Sequence, residues 1–432
     1  MSASARTVAL EATRRVMEDG AYSNLVLPAA LRRSGLSRED RALAAELTYG
    51  TLRRRLALDH AIRPHLSRGL DATPAEALAI LRLGAYQVLY TRIPTYAAVS
   101  ETVDLASGRQ RGFVNAVLRR IERGGAPPVD GRTDEDVSIR TGLSTWAVRE
   151  LRVLLGDEAE RAAAALAEPA PLAIRVNPCV ASVAEVTAAL RAAGREPRQS
   201  QLHQGSFLLE NASTPAELPG FREGAFAIQD PASAFVVDVL DPRPGERVLD
   251  ACAAPGGKSG DIACRVRAGG RLVSADASAR RARLVVEQLR RLGLEATVVA
   301  QDARRPAVRG GFDKVLVDAP CSGIGSARRR PELLWRVSRD RLAVLARLQV
   351  AIAEAAADLL RPGGRLVYSV CTFPRAETDA VCDALVRHRP ELEPEAAEAP
   401  DDREERIRLW PQRHGCDGMF VAAFRKAPDA RR

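Results

Sequence analysis

Two cysteines stand in matching settings. Cys321 ends the apolar run "VLVDAPC" and Cys371 ends "RLVYSVC", so each thiol is expected just past a buried strand. As a thiolate either one is a nucleophile, and a nearby positive charge or a helix N-terminus would bring its pKa towards neutrality. Asp318, just upstream of Cys321, places a carboxyl group beside that thiol that could act as a general acid or hydrogen-bond partner. Lys258, the only lysine before Lys314, has the reach to position that carboxyl or the substrate itself. The loop "SARRRPELLWR" follows Cys321 and sets Arg328, Arg329, Arg330 and Arg336 beside the same strand end. There they could hold phosphates, with Trp335 packing the loop or stacking on a base.

A second group surrounds "DACAAPGGKS" (Asp250–Ser259), where a strand runs into a turn of small residues. Gly256 and Gly257 let backbone approach a ligand closely, and the helix that follows offers its N-terminal amides. The spacing is neither GxGxxG nor GxxxxGK[ST], so a dinucleotide fingerprint and a P-loop are both poor readings. Asp276 ends the next strand, where a carboxylate takes ribose hydroxyls, and Asp302 ends the third, suited to an adenine amino group. One nucleoside needs both contacts. The plainer alternative is that these carboxylates cap helices.

Strands and helices must alternate to place such groups together. From about Gly220 they do: "RVLDAC", "RLVSADA", "ATVVAQDA", "DKVLVDAPC" and "GRLVYSVC" are separated by helical runs, and "RIRLW" with "MFVAAFRK" close the chain. Seven strand-like runs imply a mostly parallel sheet with an antiparallel end, which gathers ligands at the carboxyl ends of its strands. Residues 1–125 instead repeat apolar positions at three- and four-residue steps, the mark of an all-α bundle. "RGGAPPVDGR" reads as a linker, and residues 133–220 as a small α+β module ahead of an α/β domain over 221–432.

The formal charge is +9, and residues 1–125 hold 19 arginines against 12 acids, a net +7. A polyanionic partner is expected, gripped mainly by the N-terminal part. No window approaches a membrane span, and "MSASARTVALEATRRVM" reads as an amphipathic helix rather than a signal peptide. Seven scattered cysteines without a CxxC pair argue against a disulfide scaffold or a metal site. Cys179, Cys264, Cys382 and Cys416 read as structural thiols, and the expected compartment is the reducing cytoplasm.

Two resemblances sharpen these expectations. "RGFVNAVLRRI" with "AAVSETVDLA" resembles the NusB family of RNA-binding domains over the first 120 or so residues. "DACAAPGGKS", "SADAS", "DAPCSGIG" and "SVCTFPRAE", in that order, resemble the RNA (cytosine-5) methyltransferases, a likeness that covers nearly the whole chain. Together they imply an all-α NusB-like N-terminal bundle, a small α+β middle module and a C-terminal α/β Rossmann-like class I methyltransferase domain with a mostly parallel seven-stranded sheet. The cofactor implied is S-adenosylmethionine, held or bordered by Cys252, Ala253, Ala254, Pro255, Gly256, Gly257, Lys258, Asp276, Asp302 and Asp318. The partner implied is small-subunit ribosomal RNA, and the family favours a monomer.

By the same resemblance Cys371 is the nucleophile and Cys321 assists product release, whereas the DNA enzymes would select the Pro-Cys thiol, Cys321. Family members often read Thr-Cys-Ser where this chain reads Val370-Cys371-Thr372, which touches the hydrogen bonding of the thiol rather than the reaction. Two alternatives stand beside this reading: the same chemistry on transfer RNA or another RNA, and an antitermination-type binding factor with an inactive appended domain.

Overall fold

The computed structural model describes residues 4–210, 214–400 and 402–428. The helical periodicity of residues 1–125 becomes seven α-helices among the described residues: α1 (Ala5–Met17), α2 (Ser23–Ser34), α3 (Arg38–Arg53), α4 (Arg55–Ile62), α5 (Ala75–Tyr90), α6 (Thr95–Val103) and α7 (Gln110–Gly124). Three more, α8 (Asp134–Thr141), α9 (Thr145–Leu155) and α10 (Ala159–Ala167), open the segment expected as a small α+β module. Helix α5 is buried on every side from Ala77 to Gln87, which makes it the centre of the bundle. Helix α7 is amphipathic: Val114, Val117, Leu118 and Ile121 face inwards while Arg119, Arg120 and Arg123 stay exposed. Local signals set the ends. Ser37 Oγ caps α3 by accepting from the Asp40 amide at 3.1 Å, and Thr133 with Asp136 forms a capping box at α8. These helices form one of two compact units, over Met1–Glu168 together with Ala327–Arg336.

The second unit spans Pro169–Ser326 and Val337–Arg432. It begins with β1 (Leu172–Val176), α11 (Val183–Ala192), β2 (Arg198–Gln199), β3 (Ser206–Leu209) and β4 (Phe226–Ile228), an antiparallel sheet ordered β2-β3-β1-β4. Then come α12 (Pro231–Leu240), β5 (Arg247–Asp250), α13 (Gly257–Val266), β6 (Arg271–Asp276), α14 (Ala279–Arg291), β7 (Thr297–Ala300) and β8 (Phe312–Asp318). After α15 (Leu333–Arg336), which lies in the segment counted with the first unit, follow α16 (Arg339–Leu359), β9 (Leu360–Val370), α17 (Asp379–His388), β10 (Leu392–Glu395), β11 (Ala397–Glu398), β12 (Arg403–Glu404), β13 (Arg406–Leu409), α18 (Pro411–His414) and β14 (Met419–Lys426).

The main sheet has eight strands, ordered β10-β14-β9-β8-β5-β6-β7 with β13 also on β14. Strands β5 to β9 are parallel, and β14 runs antiparallel to β9 and β10. The strand beyond the seven expected is β10, "LEPE", whose two glutamates and proline hide it in the sequence and suit the sheet edge it occupies. Both faces of the sheet are covered. Val248, Leu316 and Val367 join one apolar cluster, while Leu249, Val315, Val317 and Leu366 join another. That alternation explains why these strands read as unbroken apolar runs. The chain winds outwards from β5 through β6 and β7, then returns to place β8 on the other side of β5. The winding reverses between β5 and β8, and it is outside the carboxyl ends of the strands at such a reversal that sheets of this topology hold ligands.

One cysteine expectation is corrected. Cys179 and Cys264 form a disulfide, so neither is a free thiol. Its partners are 85 residues apart, a separation that leaves no local spacing to read.

Candidate active site

The winding reversal sets Asp250 at the end of β5 and Asp318 at the end of β8. Lys258, in the first turn of α13, reaches Asp318: its Nζ lies 2.6 Å from Asp318 Oδ2 and 3.5 Å from Ser233 Oγ. Ser369 Oγ donates to the other carboxylate oxygen at 2.9 Å. Burial works against the Lys258 charge, but the Asp318 carboxylate outweighs it and the ammonium pKa ends above its ordinary value. The two thiols expected at strand ends do meet. Cys321 Sγ and Cys371 Sγ are 3.5 Å apart, beyond the ends of the neighbouring strands β8 and β9. Contact with Cys371, burial and the nearby charges of Glu377 and Asp318 push the Cys321 thiol well up.

The turn from Cys252 to Gly257 is shaped by its neighbours. Ala251 N donates to Leu316 O at 2.9 Å, Ala253 N to Ala275 O at 2.8 Å, and Gly256 N to Ala253 O at 2.8 Å. Gly256 sits at φ +104°, and a Cβ there would stand 3.1 Å from Val285 Cα, so the residue has to be glycine. Pro255 leads into it. Ala254 O accepts from Arg281 at 2.9 Å, and Gly257 opens α13. The thiol of Cys252 is raised by burial and by Asp250.

Asp276 is buried at the end of β6, where its Oδ1 accepts from the Ser278 amide at 3.0 Å. Asp302 differs. It is half exposed, and both of its oxygens accept from Arg304, at 3.0 and 2.6 Å, which holds its pKa down at about 2. An adenine amino group would have to share or displace that guanidinium.

The basic loop is anchored in the fold. Ala327–Arg336 pack within the helical unit. Arg336 donates to the carbonyls of Gly20 at 3.0 Å and Ala21 at 2.9 Å, and also to Val16 O. These bonds tie Arg336 to the carbonyls at and just beyond the end of α1. Trp335 packs: its Nε1 donates to Leu52 O at 2.9 Å, and Arg55 lies 4.2 Å over its ring. Arg53 donates to Arg328 O at 2.9 Å, and the Arg330 guanidinium lies 5.9 Å over the Tyr22 ring. Arg328, Arg329 and Arg330 are half-buried.

Sequence reasoning passed over two buried carboxyls. Asp250 is 1 % exposed, accepts from Ser259 Oγ at 2.7 Å, and is pushed up to about 7 by burial. Glu377 is fully buried and accepts from the Ser322 amide at 2.9 Å. The signal for Asp250 lay within "LDAC", an acid that ends an apolar strand. Glu377 lay in the quoted "SVCTFPRAE" but is joined to Ser322 only by the fold.

With this geometry in place, comparison with known proteins decides the family. Residues 237–425 match the family described as 16S rRNA methyltransferase RsmB/F, residues 3–123 the NusB family, and residues 143–215 the ferredoxin-like domain of RsmF/B-like methyltransferases. A Bacillus subtilis protein described as a probable ribosomal RNA small subunit methyltransferase B is 36% identical, over 98% of this chain and 99% of its own. The chain belongs to the RsmB/F methyltransferase family. Ribosomal RNA small subunit methyltransferase B of Pseudomonas putida is 34% identical over 99% of both chains. The crystal structure of PH0851 shares the fold with a TM-score of 0.84, 24% identity, and coverage of 99% of this chain and 100% of that one. A methyltransferase homologue from Pyrococcus horikoshii has a TM-score of 0.59 and 30% identity, over 68% of this chain and 99% of its own.

The cofactor of this family is S-adenosylmethionine, and the residues present fit it. The turn at Gly256 has no room for a side chain, α13 presents its first amides there, and Asp276 is a buried carboxylate at the next strand end.

Proposed function

We propose that this protein methylates carbon 5 of a cytosine in 16S ribosomal RNA through a covalent bond between Cys371 and carbon 6 of that base. The cysteine pair carries this reading: two thiols 3.5 Å apart at neighbouring strand ends, in a site that also holds the Lys258–Asp318 pair. Carbon 5 of cytosine is too weak a nucleophile to take a methyl group unaided. When the Cys371 thiolate adds at carbon 6, the electron pair of the 5,6 double bond becomes available at carbon 5. Asp318, held by Lys258 and Ser369, lies where it can hold a proton from solvent against ring nitrogen 3, which neutralises the ring as the adduct forms and is given back when the adduct breaks down. The bound cofactor supplies an electrophilic methyl group.

Once carbon 5 carries the methyl, a base takes its proton, the double bond re-forms, and the carbon 6–sulfur bond breaks to return the Cys371 thiolate. Two thiolates this close would repel, so the pair ionises once. Contact with Cys371 and burial hold the Cys321 thiol well up, in keeping with the roles that the resemblance to the RNA enzymes gives the pair, Cys371 to attack and Cys321 to assist release. The target base must leave its stack to enter. Arg328, Arg329 and Arg330 are the phosphate contacts in this reading, and the basic helical unit grips the surrounding RNA through charge and shape.

The test is transfer of labelled methyl from S-adenosylmethionine to unmodified small-subunit ribosomal RNA, followed by digestion to nucleosides. Label in 5-methylcytosine is the expected result. Label in a different nucleoside would overturn the carbon-5 chemistry, and label confined to a transfer RNA pool would overturn the substrate.

A further inference from the structure

Glu377 touches none of the reacting atoms in the reaction as written, yet its carboxylate is fully buried within reach of the turn that carries Cys321. A carboxylate taken out of water is costly unless its lone pairs are filled. Here the partners that fill them flank the cysteines. Ser322 N and Gln349 Nε2 both donate to Glu377 Oε1 at 2.9 Å, and Thr372 Oγ1 approaches Oε2 at 3.4 Å. Gln349, itself fully buried on α16, donates from the same amide nitrogen to Pro320 O at 2.9 Å. The residues on either side of Cys321 are therefore gripped by one glutamate–glutamine pair. Ser322 Oγ and Thr372 Oγ1, 2.7 Å apart, join the two turns directly. Tyr368 OH fixes the glutamate's own carbonyl at 2.7 Å.

The two cysteines do not need this support equally. Cys371 directly follows Val370, which is still paired with Phe420 in the ladder, and its carbonyl accepts from Gly325 N at 3.1 Å. Cys321 lies beyond the end of β8 at Asp318, and the last sheet-like bond before it is Ala319 N to Ser369 O at 2.9 Å. Removing the Glu377 carboxylate would thus loosen Cys321 before Cys371.

We propose that Glu377 is a positioning residue for product release, holding the Cys321 turn so that its thiol stays against Cys371. The inference rests on the covalent reading above. Its consequence is specific: without Glu377 the Cys371–carbon 6 bond still forms, but its cleavage is slowed.

The experiment incubates full-length protein with S-adenosylmethionine and small-subunit ribosomal RNA, and looks for protein–RNA adduct on a denaturing gel. C321A, E377A and E377Q are compared with the unaltered chain. E377A should accumulate adduct as C321A does, with turnover down about 100-fold and cofactor affinity unchanged. E377Q keeps an acceptor for the Ser322 amide and should release product as the unaltered protein does. Loss of turnover in E377A without adduct would mean a role in stability alone and would overturn the inference. If E377A does not fold, Q349A, which frees Pro320 O, must show the adduct instead, and its absence there is equally decisive. Should C321A give no adduct either, the covalent reading has failed and this inference falls with it. Adduct in C321A but not in E377A would sink the inference alone.

Discussion

Burial pushes the Asp250 carboxyl up to about 7, against roughly 3.9 for a free aspartate. Between those values the folded chain keeps a proton that the unfolded chain has released. Stability from this group is therefore full below the unfolded value and is lost as pH rises through 7. D250N removes the titration, so its stability relative to the natural protein should rise from pH 4 to pH 8 by on the order of 2–4 kcal/mol, read from calorimetric melting. A difference that stays flat across that range would mean Asp250 is ionised throughout. The thiols give opposite predictions. C371A should lose methyl transfer entirely while binding cofactor normally, whereas C321A should trap protein on RNA. If C371A is the variant that traps, the two roles are reversed. The cysteines, Lys258 and Asp318 were legible because motif and strand end coincide. The Gln349–Glu377 grip was not, since its partners are 28 positions apart and a hydrogen-bond partner at that distance is chosen by the fold and has no periodic signature.

At the scale of elements, the turn into α13 and the segment after Cys321 make separate claims. An alanine at Gly256 would be forced to φ +104° with its Cβ 3.1 Å from the backbone of α14, which cannot retreat as a side chain could. Strain of about 1–3 kcal/mol should weaken cofactor binding about tenfold or more in G256A, measured by calorimetric titration. Unchanged affinity would show that this turn is not the cofactor's cradle. In the helical unit, Glu332 is fully buried and accepts from Ser23 N at 3.0 Å and Ser23 Oγ at 2.7 Å. E332A would strand both donors at a cost of about 2–4 kcal/mol. Amide exchange over residues 22–27 and 333–336 should speed up together, and exchange that stays slow would show the anchor to be dispensable. Helices α1 to α7 and strands β5 to β9 could be read from the sequence, because apolar period and caps are local. That residues 327–336 belong with the helices could not, since Ser23 and Glu332 are 309 positions apart.

For the whole molecule, charge and chemistry are divided along the chain. Residues 1–125 carry a net +7 of the total +9, whereas every group proposed to touch the reacting base lies beyond residue 250. Phosphate neutralisation releases counterions, so affinity for RNA should fall steeply with salt, and the slope reports how many phosphates are neutralised. Arg109 and Arg120 are exposed on the helical unit, and Arg267 and Arg271 are exposed on the second unit. R109E/R120E should raise KM at low salt, leave kcat at saturating RNA unchanged, and lower the log–log salt slope by about 0.7–0.9 for each phosphate left without its arginine. R267E/R271E changes net charge by the same amount and should leave the slope as it was. An equal fall in slope for the two pairs would mean that RNA answers to total charge, and the helical unit would then have no privileged part in binding. A fall confined to the first pair would assign the grip to the helices and the reaction to the strand ends, which is the division that the charge distribution implies.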